Sequence, residues 1–440
     1  MAFKATAFFL LLLAITSSAF NNRKLLQATV DADDLDVLLT DNGISNTLFG
    51  DNAFDFTNVA DGAAANIDVD ALNDLTEDDA ILASTDGINV GEIGNVAEGS
   101  GLADVDLDQN NFVTGSGIST DSRVVNSVTG QNVVTDADDA LVTANQRNDL
   151  DNTGIDTTTL LVNDLTVDQV VRDDNNDGSI TALMNNDGEV NGIGNQLTGI
   201  NQGTLTNLID GDNAGGSILA DFDNNAEVNG EMNVGLLANT FDIMNINEDN
   251  NNAVFTDVDL DARNDLDLDG ISNTATGVNS GIFNNIGQDA DADIVADMVN
   301  DLTVDGQMNT LLAGSNVVID NIATEEEGGV DAGVKVDTFN FADVDGINNF
   351  ASLSNDIAVN NIQSDKYATV DVNVDNVFNV GGIGNVASGI NSVDVTNIAA
   401  GGNADVDIDM KNDFDISGIG GTAGGSNRVS GTNIANRRLA

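Results

Sequence analysis

The stretch TDVDLDARNDLDLDGISNTATGVN, starting at Thr256, lies without a gap on ADVDIDMKNDFDISGIGGTAGGSN, starting at Ala404. Val258 and Val406, Leu266 and Phe414, and Ile271 and Ile419 keep step. Inside each copy an aliphatic residue alternates with Asp or Asn. A strand with one buried face requires that period of two, because successive side chains point to opposite sides of a sheet. Val and Ile suit it, since their branched carbons fit a pleated, half-buried surface. Gly and Asn punctuate the copies, and both tolerate the left-handed backbone of tight turns. Such a chain is restricted to short strands and turns, an all-β class.

The turn-bearing unit reads G-I-(G/S)-N-x-A-x-G-x-N, with copies beginning at Gly43, Glu92, Gly192, Gly270, Gly382 and Gly418. Their uneven spacing reads as a degenerate array with insertions. A triplet N-(V/I)-A recurs at Asn58, Asn95, Asn321, Asn385, Asn397 and Asn433. The heptad VNDLTVD occurs identically at Val162–Asp168 and Val299–Asp305. Its Asn-Asp step interrupts the alternation, so it reads as a strand entering or leaving a turn. ALNDLTEDDAILA, Ala71–Ala83, stands apart as a stretch with helical spacing.

Many short strands with periodic Gly/Asn turns favour a repeat-built β-solenoid, parallel β-helix-like, over a string of antiparallel β-sandwiches. Stacked coils would set recurrent turn Asn residues into amide ladders. The chain has no Pro, which could not donate to a strand ladder. High net charge favours disorder, but 41% hydrophobic residues arranged with a period favour an ordered fold.

Residues 1–19 read as a signal peptide. Lys4 gives a positive start, ATAFFLLLLAI is too short to span a bilayer, and SSA at Ser17–Ala19 fits the small-residue cleavage rule. Residues 20–24 then form a propeptide ending in the dibasic pair Arg23-Lys24, and 437–440 a processing tail opened by Arg437-Arg438. The repeat region spans 25–436. The expected location is secreted and extracellular, without a membrane span.

The chain carries 73 acidic against 13 basic residues, a net charge of −60, and trimming at its ends would make it more acidic. That sign excludes nucleic acid and anionic membrane surfaces as partners. Cations, mineral faces and basic polymers remain, and a compact state needs counterions against self-repulsion. There is no Cys, His or Trp, and Tyr367 is the one Tyr. The commonest general base, the best nucleophile and most transition-metal ligands are therefore absent. A hydrolase using carboxylates alone remains conceivable but lacks the aromatic lining of a sugar cleft, so the expectation is a non-enzyme.

Two stretches point to metal. In DDNNDGSI, Asp173, Asn175, Asp177, Gly178 and Ile180 fall on positions 1, 3, 5, 6 and 8 of a Ca²⁺ loop. The stretch resembles the EF-hand or dockerin-type loop over those residues, departing from it at Met184, where the family places a bidentate acid. Asp265, Asp267 and Asp269 in DLDLDG resemble the Asp-rich repeats of thrombospondin type 3, although their alternation with Leu puts them on one strand face. With Asp257, Asp259, Asp261, Asp405, Asp407 and Asp409 they would form rows of carboxylates about 5 Å apart, which Ca²⁺ or Mg²⁺ could bridge. Ca²⁺ is the one cofactor the sequence points to. Thr is too scattered for the flat Thr ranks of an ice-binding surface.

No N-x-(S/T) glycosylation sequon occurs in this Asn-rich chain, which fits surfaces that touch other protein. These features together predict a secreted, acidic structural protein. It would self-assemble into, or decorate, an extracellular matrix, cell wall or filament, with itself or other matrix components as partners. The alternative is a divalent-cation or mineral-binding surface protein using rows of Asp.

Overall fold

A computed structural model describes residues 27–435, apart from the connecting segments 45–46, 62–63, 82–83, 99–101, 120, 136–138, 173–176, 212–213, 249–254, 289–290, 325–330 and 365–366. The stretch read as a signal peptide, both dibasic pairs, Asp173 and Asn175 lie outside the described residues. The rest is an all-β solenoid of 22 strands, β1 (Gln27–Ile44) to β22 (Thr422–Ala435), with no helix among the described residues. Odd-numbered strands form one 11-stranded sheet and even-numbered strands another. Every pairing is parallel, as in β13 (Phe255–Ile271) with β15 (Asp291–Gln307) and β14 (Thr274–Gln288) with β16 (Thr310–Thr324). Each coil is thus one odd and one even strand, and the two sheets face each other across the interior.

The alternation expected from the sequence is what the strands bury. On β13, Val258, Leu260, Ala262, Leu266 and Leu268 point inward with at most 2% exposure, while the intervening acids point out. Asn also occupies core positions. Asn264 on β13 and Asn279 on β14 are fully buried at mid-strand. Asn264 donates to Asn279 at 2.9 Å and to Asn300 in the next coil at 2.8 Å. Asn279 donates to the carbonyls of Ala262 and Val299, both at 3.1 Å. Two mid-strand Asn ladders therefore run back to back along the solenoid, the even one interrupted once at Ser315, with their amides satisfied by each other and by backbone, as buried polar groups require. A third ladder lies nearer the ends of the even strands, where Asn285 donates to Asn321 at 3.1 Å and Asn321 to Asn361 at 3.0 Å.

This corrects the reading of VNDLTVD as strand ends. The copies sit mid-strand in opposite sheets, on β8 (Thr158–Arg172) and β15. Asn163, Leu165 and Val167 on one, and Asn300, Leu302 and Val304 on the other, form an unbroken inward row. The phase is intact because Asn is the inward residue. ALNDLT likewise belongs to strand β3 (Ala64–Ile81), with Ala71, Asn73 and Leu75 buried, and not to a helix.

The G-I-(G/S)-N unit is the corner joining an odd to an even strand. Gly270 holds a φ of 134°, and a Cβ there would lie 1.7 Å from the carbonyl oxygen of Gly230 one coil away. The third residue sits in the left-handed region, as Ser272 does at 61°. Asn273 turns inward, accepts from the Asn233 N–H at 2.8 Å and donates to the carbonyls of Gly230 and Asp269, both at 3.1 Å. This is the turn ladder anticipated from sequence.

The uneven spacing of the copies also resolves. Coil-to-coil Asn bonds span 36, 37, 38 or 40 residues. The path from Gly270 to Gly382 passes through corners at Gly306 and Gly346, whose sequences have diverged. The copy taken to start at Glu92 is out of frame, because its Asn95 lies inside β4 (Ser84–Glu98). Missing sequons have a core explanation as well. The residue two after an inward Asn is itself inward, as in Asn264-Asp265-Leu266, so a core residue, chiefly aliphatic, Gly or Phe, stands where Ser or Thr would complete the motif.

Candidate functional site

The outer face of the odd sheet is the strongest chemical feature. On β13, Asp257, Asp259, Asp261, Asp265, Asp267 and Asp269 all point outward, with Arg263 among them. Parallel, in-register pairing turns equal positions into rows. Asp261 is in register with Asp221 on β11 (Gly216–Glu231) and with Asp297 on β15, and Asp297 with Asp337 on β17 (Asp331–Ile347). In-register neighbours lie about 4.8 Å apart.

Other rows are mixed. Asp259 stands between Leu219 and Val295, Asp265 between Asn225 and Asp301, Asp267 between Glu227 and Thr303, and Asp269 between Asn229 and Asp305. On β21 (Asn403–Ile416), Asp405, Asp407 and Asp409 pair with Thr369, Asp371 and Asn373. The expected carboxylate rows thus exist as runs of a few acids broken by neutral residues.

The carboxyls respond to this crowding. Burial, reinforced by Asp293 and Asp291, pushes Asp257 up to about 6. Burial raises Asp261 too, helped by Asp221 and Asp297, and raises Asp223, Asp293 and Asp301 in the same direction. Asp337 runs the other way. Burial opposes its ionisation, but hydrogen bonds from Lys335 and Asn373 outweigh that and hold it below the usual carboxylate range. Bases on this face each pair with an acid two residues on, as Arg147 with Asp149 at 3.1 Å and Arg263 with Asp265 at 2.8 Å. Such exposed pairs contribute little each.

Among the described residues, no three acidic groups are placed to hold one metal ion. In DDNNDGSI, Gly178 to Met184 run as strand β9 (Gly178–Ile193), with Ile180 and Met184 each 1% exposed. That half of the segment is core and does not curl as a Ca²⁺ loop would. Asp177 accepts from the Gly215 N–H at 2.8 Å, and its own N–H donates to Asp139 at 3.2 Å, so it links successive connecting segments.

Two surface depressions are open troughs. One, of about 350 Å³, lies at the edge of the acidic face beside Asp305, Asp343 and Asp345. The other, about 640 Å³, lies on the even face where Gly314 leaves a gap between Val278 and Ile390.

The outer even face is chemically opposite. β14 presents Thr274, Thr276, Val278, Ser280, Ile282, Asn284, Ile286 and Gln288 outward, with no charge. One coil therefore shows six carboxylates on one side and none on the other. The chain matches no protein-family model, no curated protein and no solved structure. No helix among the described residues is long and apolar enough to cross a membrane.

Proposed function

We propose that the protein is a secreted, acidic structural protein that stacks end to end into filaments of an extracellular matrix or wall. The observation that carries this reading is the open coil end. β21 and β22 are each paired on one side only among the described residues. Val429 is in register with Val393, which is 1% exposed, yet Val429 itself is 54% exposed. Among the described residues the last coil thus presents a cross-section of the core together with an unpaired strand edge, a template for another strand.

The Asn ladder adds direction. Coil donates to coil except at Ser315, as Asn391 does to Asn427 at 3.3 Å, whereas Asn427 donates to the Met410 carbonyl at 2.9 Å and has no successor among the described residues. At the other end Asn52 opens the same ladder on β2 (Thr47–Asp61), with no even strand before it among the described residues. A donor end meeting an acceptor end is a head-to-tail contact that does not close on itself, and such contacts build filaments. Negative-stain microscopy at moderate salt tests this reading. Unbranched fibres are expected, and a field of uniform single particles at all concentrations would count against it.

A second reading rests on the raised carboxyl of Asp257 and its neighbours. Groups that resist ionisation beside one another gain from a bound cation, so the acidic face would collect divalent cations or dock on a mineral. Calorimetric titration with Ca²⁺ tests it, and no heat beyond dilution would sink it.

A further inference from the structure

The N-(V/I)-A triplet has a structural meaning that filament growth does not use. Asn385 apart, which is a corner residue, its Asn joins the third inward ladder and its Ala is also inward, so its middle residue faces solvent on the even sheet. In-register pairing lines these residues into one column from Val59 to Ile434. The column holds Val on the first four even strands, Leu208 on the fifth and Ile on the remaining six, with no polar residue in it. Where the triplet has decayed, as at Asn245-Ile246-Asn247, the outward aliphatic persists while the inward residue has changed. Val59 is 62% exposed and Ile434 41%, and the members between them are half-buried by one another. Nothing in the fold requires an outward position to stay aliphatic in every coil, and even the Ile-rich corner column from Ile118 to Ile419 is broken by Glu231 and Gln307.

We propose that this outer even face pairs laterally with the same face of a second copy. The inference deepens the assembly reading, on which it rests, by naming a second contact between filaments. Charge selects the occupant. Odd faces repel, with five outward acids on β21 and six on β13, whereas β22 and β14 carry no outward acid and β10 (Gln196–Asp210), β12 (Val234–Glu248), β16, β18 (Phe350–Gln363) and β20 (Val386–Ala399) show one each among the described side chains, Asp210, Asp242, Asp320, Asp356 and Asp394. Two copies can therefore approach closely only through their even faces.

Spacing selects it too. Side chains along the column repeat every 4.8 Å or so, and another sheet of the same solenoid repeats identically, so ridges can interdigitate over the whole length. The strands from β10 (Gln196–Asp210) to β22 offer on the order of 1,500 Å² per copy, against about 800 Å² for a typical stable interface.

The test is a triple variant, Ile286→Thr, Ile322→Thr and Ile362→Thr, which keeps β-branched residues on the surface, compared with Val299→Thr on the acidic face. Sedimentation equilibrium and fibre width in negative stain are the readouts, with circular dichroism showing that the variants fold. Wild type and Val299→Thr should pair, and the triple variant should pair on the order of a hundredfold more weakly. Discrete pairs without fibres would uphold this contact while refuting end-to-end growth. Fibres one solenoid wide in wild type, or a triple variant that pairs as tightly as wild type, would overturn it. So would an unpaired wild type that instead coats an insoluble polysaccharide or ice through this face.

Discussion

Asn264 on β13 hands its side-chain amide proton to Asn279 on β14 at 2.9 Å, so the two sheets are joined through the middle of the core by polar groups. Asn279 in turn accepts from Asn239 one coil back at 3.0 Å. Each amide is held from two directions, which fixes the register of coil on coil and of sheet on sheet together. An aliphatic pair would supply contact without that directionality.

Replacing Asn279 by Leu leaves one amide N–H each of Asn239 and Asn264 without its acceptor inside the core. An unsatisfied buried donor costs its full desolvation, so a loss of about 3 kcal/mol is expected. Coils interact only with neighbours, so a break at mid-array should also split the melting curve into two steps. Asn284, which faces outward on β14, is the control, and Asn284→Thr should shift stability by under about 0.5 kcal/mol. Thermal and urea melts followed by circular dichroism decide between these outcomes.

Corner glycines should be irreplaceable. A methyl group at Gly270 would meet the Gly230 carbonyl at 1.7 Å, on a backbone that L-residues rarely adopt. Gly270→Ala should cost about 3 kcal/mol or more. Gly281 is barred for a different reason, since its Cβ would fall 1.5 Å from the ring of Phe241, the in-register residue one coil away. Gly281→Ala should cost about 1–3 kcal/mol by overpacking. At Gly424, on the last strand, nothing lies within 4 Å. Gly424→Ala should therefore be neutral, or stabilise by about 0.5 kcal/mol through the unfolded chain.

These residues also show how far the fold could be read from the sequence. Alternation along TDVDLD was enough for strands, and Gly-Ile-x-Asn for corners, because each follows from the conformational preference of a single residue. Coil length was hidden, since diverged corners such as Gly306-Gln307-Met308-Asn309 keep the backbone and lose the letters. Asn was misread wherever it is buried at mid-strand. Its ordinary preference is for turns, and only a partner one coil away makes the interior acceptable. The signal was available in Asn-Asp-Leu-x-Val, where Asn stands two residues before an inward aliphatic on one strand after another. The acidic face was legible as strand faces, but which acids would become neighbours depended on a register that one strand alone does not contain.

Acid should strengthen the fold. Asp257 sits at about 6 in the folded chain, above its ordinary value of 3.8, because burial and then Asp293 and Asp291 disfavour its charge. The folded state therefore holds the proton more tightly than the unfolded one, and stability rises as pH falls through about 6 toward 3.8. Asp261, Asp223 and Asp301 act in the same sense, while Asp337, held low by Lys335 and Asn373, opposes them. The melting temperature should climb from pH 7 to pH 5, and less steeply in Asp257→Asn. A midpoint that drops over this range would contradict the assignment.

Cations should act on the same rows by a different route. Asp221, Asp261 and Asp297 are consecutive in register, so their carboxylates stand closer together than the Debye length of about 8 Å at physiological salt. Monovalent salt then screens them only in part, and NaCl should raise the melting temperature modestly. A divalent ion can sit between two neighbouring carboxylates and offset both charges at once, so millimolar Ca²⁺ should raise it further at matched ionic strength. Removing alternate charges in the double variant Asp221→Asn and Asp297→Asn leaves Asp261 without charged in-register neighbours. The extra gain from Ca²⁺ should shrink there while the NaCl response persists. Equal effects of Ca²⁺ and NaCl in the wild type would reduce the acidic rows to a screened surface with no bridging.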